Sequence, residues 1–101
     1  MDIVEKIGLP ATLEQLAEEC VELAQAALKY ARMLRGENPT PKSEEQLRNS
    51  LMEELADVEV CSTILPDSIM DEARFEAYYR DKLDRWRHRL GINRVADKIQ
   101  K

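Results

Sequence analysis

Two acidic pairs with the same spacing are the residues of this chain best placed to do chemistry. Glu19 and Glu22 form the first, Glu54 and Asp57 the second, and on a helix a three-residue separation puts both members of a pair on neighbouring positions of one face. Glu54 stands inside the apolar series Leu47, Leu51, Val58, Cys61, Leu65, in a slot that calls for a leucine. A carboxylate buried there without a partner costs on the order of several kcal/mol, and a divalent cation is the natural compensation. With oxygen donors only and the sole histidine, His88, far along the chain, the ligand set selects Mg²⁺ or Mn²⁺ over zinc. Glu14 and Glu18 fall with Gln25, Lys29 and Arg32 on the water-facing side of their helix, and Glu53 and Glu59 turn away on theirs, so none of these is a ligand. A single such pair is commonplace in glutamate-rich helices; the conjunction of two on adjacent helices is what carries the signal.

A second group is basic. Lys82, Arg85 and Arg89 flank the apolar line Tyr79, Leu83, Trp86, a position from which cations can reach phosphates. The alternative for these residues is plain helix C-terminal charge, which meets the macrodipole favourably. Tyr79 and Trp86 read as core residues.

Three long helices must position these groups. Ile3, Val4, Ile7 and Leu9 suggest one short amphipathic turn ahead of Gly8 and Pro10. Thr12 is a fair N-cap for a helix reaching about Arg35, with the stripe Leu13, Leu16, Ala17, Cys20, Ala24, Ala27, Leu28, Ala31, Leu34 and Gly36 at its end. Residues 36–41 form a Pro-rich loop. Ser43 with Gln46 three residues on makes a capping-box pattern for a second helix running to about Leu65 and stopped by Pro66. Asp67 or Ser68 opens a third, with the stripe Phe75, Tyr79, Leu83, Trp86, Leu90, closed by Gly91; residues 92–101 make a short turn or a frayed tail. The expected fold is all-α: one domain over residues 1–101, a helical hairpin plus a third helix, whose broad apolar stripes require a second copy to complete the bundle.

Composition agrees. Charged residues make up 35% and aromatics 5% of the 101 residues, and no stretch alternates as a strand does. A net charge of -5 argues against non-specific nucleic-acid binding, although bases gather between Arg80 and Arg94. No apolar run approaches membrane-spanning length and no signal peptide is visible, so a cytoplasmic chain with no membrane partner is expected. Cys20 and Cys61 lie on apolar helix faces and are expected to stay reduced.

The stretches from Leu16 to Ala27 (LAEECVELAQAA) and from Glu53 to Val58 (EELADV) resemble the EExxE and ExxD halves of the MazG-like nucleoside triphosphate pyrophosphohydrolases, of the all-α NTP pyrophosphatase superfamily. The likeness runs from about Gly8 to Leu90 and takes in the NPTP loop at 38–41 and the KLDRW segment at 82–86. It implies hydrolysis of a nucleoside triphosphate to the monophosphate and pyrophosphate, with Mg²⁺ held by Glu19, Glu22, Glu54 and Asp57. It also implies a water oriented or deprotonated by Glu19 or Glu22, phosphate contacts from Lys82 and Arg85 with Arg89 as a rival, and a homodimer or dimer of dimers. The chain has a longer loop between its acidic pairs than the most compact such domains. It lacks the extra helices with which larger relatives enclose the base, so no base preference follows. Hydrolysis of a phosphoribosyl-nucleotide precursor shares the superfamily fold and ranks lower. Against all of these stands a non-catalytic helical interaction module whose acidic face binds a cation or a basic partner.

Overall fold

A computed structural model describes residues 2–37 and 41–92. Residues 38–40 of the Pro-rich loop and the tail 93–101 lie outside the described residues. The fold is all-helical: α1 (Ile3–Ile7), α2 (Leu9–Leu34), α3 (Glu44–Thr63) and α4 (Glu72–Arg89), with no strand among the described residues. The chain divides into two compact units, Met1–Pro66 and Asp67–Lys101. The boundary falls at the proline that stops α3.

In the first unit α1 packs on α2, and α2 packs along α3. Gly8 joins α1 to α2 with φ +89°, a left-handed conformation that a side chain would strain. It closes α1 and opens α2, so α2 begins three residues before the expected cap. Pro10 is tolerated there because the first helical turn has no intrahelical acceptor for its missing N–H. Thr12 is therefore not the N-cap. It lies inside the first turn, donates its hydroxyl to the Gly8 carbonyl at 2.8 Å, and at 1% exposure is the most buried side chain described.

At its other end α2 closes as the glycine at position 36 demands. Gly36, with φ +76°, donates to the Met33 carbonyl at 3.1 Å, and Glu37 donates to that of Arg32 at 2.9 Å, the paired bonds of a Schellman cap. The capping box of α3 is present in both halves: Gln46 N donates to Ser43 Oγ at 3.1 Å, and Ser43 N donates to Gln46 Oε1 at 2.9 Å.

α2 and α3 run antiparallel, since Tyr30, late in α2, donates its hydroxyl to Glu44 at the start of α3 at 3.0 Å, while Glu19 feels the charge of Asp57 further along. On α3 the apolar series faces inward as expected: Leu47 and Cys61 are buried and Leu51 and Val58 half-buried, while the helix ends at Thr63 and leaves Leu65, also half-buried, just beyond it. On α2 only Leu16 and Ala31 of the expected stripe are half-buried. Leu16, Glu19, Leu23, Ala26, Tyr30 and Met33 are half-buried, whereas Leu13, Ala17, Cys20, Ala24, Ala27, Leu28 and Leu34 are exposed. α2 carries two stripes, and the one with the larger side chains turns to α3 because it removes more carbon from water. Cys20 is consequently a surface thiol; both cysteines are free.

The second unit holds α4. Its N-cap is Asp71, whose carboxylate accepts from Arg74 N at 3.0 Å, rather than Asp67 or Ser68, which lie in a turn directly after Pro66. Asp71 wins because its side chain meets the third N–H of the helix that actually forms. Gly91 closes α4 with φ +72°, as read from the sequence. Leu83 is half-buried, but Tyr79 and Trp86, expected in a core, are each 58% exposed.

Candidate metal centre

Glu19, Glu22, Glu54 and Asp57 converge. One carboxylate oxygen from each of the four lies within 4.8 Å of the others, across the α2–α3 contact. Helix periodicity explains the convergence: three residues is close to one turn, so each helix stacks its two acids, and antiparallel packing sets the stacks side by side. Glu19 and Glu54 are half-buried and form the floor; Glu22 and Asp57 are exposed and form the rim.

The floor is where the electrostatics are unfavourable. Glu19 Oε2 and Glu54 Oε2 are both shielded from water and accept no hydrogen bond. For Glu54 an orphaned buried acceptor costs about 1–3 kcal/mol, and more when it is ionised. The other oxygen of Glu19 is held: Gln15 Nε2 donates to Glu19 Oε1 at 2.8 Å. Burial pushes the Glu19 carboxyl above the usual carboxylate range, the charges of Glu22 and Asp57 push the same way, and the Gln15 bond opposes them. A protonated Glu19 can also donate to Glu22, which adds to the rise.

These residues fit a hard divalent cation. Oxygens on opposite sides of a Mg²⁺ ion stand about 4.2 Å apart at bond lengths near 2.1 Å, so oxygens already within 4.8 Å need only small side-chain adjustments to share one ion. The two shielded oxygens would gain the partner they lack. Cys61, one turn beyond Asp57 on α3, lies close enough to the cluster to feel its charge. It is buried, and burial raises its thiol above the ordinary range, helped by the charges of Glu19 and Asp57 and by Cys20, so the thiol stays neutral and does not serve as a soft ligand. Glu14, Glu18, Glu53 and Glu59 are exposed, as their helical positions require.

Lys82, Arg85 and Arg89 lie on α4, where they line one concavity of ≈ 770 Å³ together with Asp84, Trp86 and His88. Arg85 is already engaged, its Nη2 donating to Asp81 Oδ2 at 2.9 Å. Gln15 is the contributor that sequence reading passed over. Its position four residues before Glu19 was the available signal, since i,i+4 amide and carboxylate side chains meet on a helix.

Comparison with protein families, with curated proteins and with solved structures finds no match to any of them.

Proposed function

We propose that this chain holds Mg²⁺, or Mn²⁺ in its place, between α2 and α3 and hydrolyses a nucleoside triphosphate to the monophosphate and pyrophosphate. The observation that carries the metal half is the pair of shielded, unpartnered oxygens, Glu19 Oε2 and Glu54 Oε2, within a four-carboxylate cluster. The reaction half rests on the EExxE and ExxD motifs that these same residues make up.

A bound cation would neutralise triphosphate oxygens and draw the substrate onto the cluster. The other roles fall to the chain. Gln15 fixes one oxygen of Glu19 and so aims the second. Glu19 titrates above the usual carboxylate range, which makes it a better proton acceptor than an ordinary carboxylate. In the hydrolysis the water oxygen bonds to phosphorus, the anhydride bond between the monophosphate and pyrophosphate parts breaks, and the water proton passes to Glu19 or Glu22. Lys82, Arg85 and Arg89 are assigned to phosphate charge by their chemistry, with Arg85 exchanging Asp81 for the substrate. A homodimer or dimer of dimers is the proposed working form, and the chain is placed in the cytoplasm. Among the described residues no helix is long and apolar enough to cross a membrane.

The test is product identification. Purified protein with Mg²⁺ and a panel of ribo- and deoxyribonucleoside triphosphates is expected to release monophosphate and pyrophosphate. Release of diphosphate and phosphate would overturn the cleavage, and absence of turnover across the panel would return the acidic face to the role of an interaction module.

A further inference from the structure

Trp86, the only tryptophan of the chain, is 58% exposed on α4. The half-buried side of that helix is made by Leu83, Asp84 and Arg87, so the indole is not what packs it. At about 100° per residue, Lys82, Trp86 and Arg89 fall within about 60° of one another, with Lys82 about 6 Å before the indole along the helix axis and Arg89 about 4.5 Å after it. The three share one concavity. Arg85 adjoins them but is held by Asp81 at 2.9 Å, whereas Lys82 and Arg89 form no ion pair among the described residues. An exposed indole thus stands between two uncommitted cations.

We propose that this face is a mononucleotide site, in which Trp86 is the platform for the base and Lys82 and Arg89 take the phosphate. Cations alone would accept any anion; the flat apolar surface between them selects an anion that carries an aromatic ring. In a nucleotide one ribose separates base from phosphate, a span that the long lysine and arginine stems can follow from either side of the indole. A single nucleotide fits better than a strand. The turns ahead of Lys82 carry Phe75 and Tyr79 on this face and no lysine or arginine, so a second phosphate finds no cation, and the net charge of -5 disfavours a polyanion. The cations are those assigned to phosphate in the proposed reaction, and on that reading the inference rests for its ligand class; the indole adds recognition of the base. Stacking reads area and not hydrogen-bond pattern, so purines should bind more tightly than pyrimidines, and adenine and guanine nearly alike.

Because the chain has one tryptophan, its fluorescence reports this site alone. The full chain in EDTA is titrated with AMP and with ribose 5-phosphate, which keeps the phosphate and lacks the base. AMP is expected to quench the emission saturably and ribose 5-phosphate to leave it unchanged. By calorimetry, Trp86→Ala should weaken AMP at least about fivefold, the lower end of what a base–aromatic stack contributes, and leave ribose 5-phosphate within about twofold, while Trp86→Phe keeps most of the affinity. Lys82→Gln should weaken both ligands alike. An AMP titration without quenching, equal affinity for AMP and ribose 5-phosphate, or AMP affinity indifferent to Trp86→Ala would overturn the proposal. So would a single-stranded oligonucleotide bound more than about 100-fold more tightly than AMP, which would make this a face for a strand. Quenching by AMP in a chain that cleaves no triphosphate would sink the reaction and spare this site; cleavage with KM unchanged in Trp86→Ala would sink this site and spare the reaction.

Discussion

The side of α2 that faces α3 carries charge where burial favours carbon, and its outer side carries carbon where water favours charge. Glu19 is half-buried among Leu16, Leu23 and Ala26, while Leu13, Val21, Leu28 and Leu34 are exposed. Each side contradicts the usual distribution in its own way. A bound cation would satisfy the shielded, orphaned oxygens of the inner side, while the leucines of the outer side meet water.

The largest expected effect separates the inner side from the outer one by activity. Glu54→Gln, which keeps shape and removes charge, should lower Mg²⁺-dependent pyrophosphate release by about 100-fold or more, beyond what changes to residues merely supporting a metal ligand produce. Leu28→Ala, on the outer side, should leave turnover per folded site within about twofold; steady-state assays at saturating Mg²⁺ read both. Stability comes next. Leu47, at 3% exposure, sits in the inner contact, so Leu47→Ala should cost about 2–5 kcal/mol in urea unfolding, while Ala substitution of exposed Leu55 should stay within about 0.5 kcal/mol. A Leu47→Ala cost below that range would mean that α2 and α3 pack more loosely than described.

A smaller effect follows from Glu19 and pH. Its carboxyl titrates above the ordinary value of 4.5 in the folded chain, so between that value and the raised one the folded state binds more protons than the unfolded state. The contribution of Glu19 to metal-free stability therefore falls as pH rises through that window. Mg²⁺ affinity should rise in the same direction, because the ligand must lose its proton. Melting temperatures against pH, with EDTA and with Mg²⁺, should lie together at low pH and separate as pH rises, and Glu19→Gln should reduce that separation. The smallest effect belongs to Gln15. Without its bond, which favours the charged carboxylate, Gln15→Ala should move the Glu19 titration further upward, measured by carboxyl carbon NMR.

How much of this was legible beforehand depended on what each residue has to reach. The Ser43 and Gln46 box and the Gly36 and Gly91 closures are local, set within four residues, and they stand where the sequence places them. The convergence of Glu19, Glu22, Glu54 and Asp57 was also readable, because helical spacing and an antiparallel hairpin suffice to produce it. The inward face of α2 was not. Two apolar stripes share that helix, and choosing between them requires knowing which neighbour is present, a tertiary fact with no local trace. Thr12 failed as a cap for a related reason: Gly8, by taking φ +89°, let the helix start earlier than its polar residues suggest.

The metal claim is tested most directly by thermal unfolding of the parent and of Glu54→Leu, each with EDTA and with Mg²⁺. The parent should melt higher with Mg²⁺, by the equivalent of about 2.7 kcal/mol at a hundredfold excess over Kd. Glu54→Leu should melt higher than the parent in EDTA, by a difference on the order of 1–3 kcal/mol, and should not respond to Mg²⁺. A parent indifferent to Mg²⁺, or a metal-free Glu54→Leu less stable than the parent, would contradict the account.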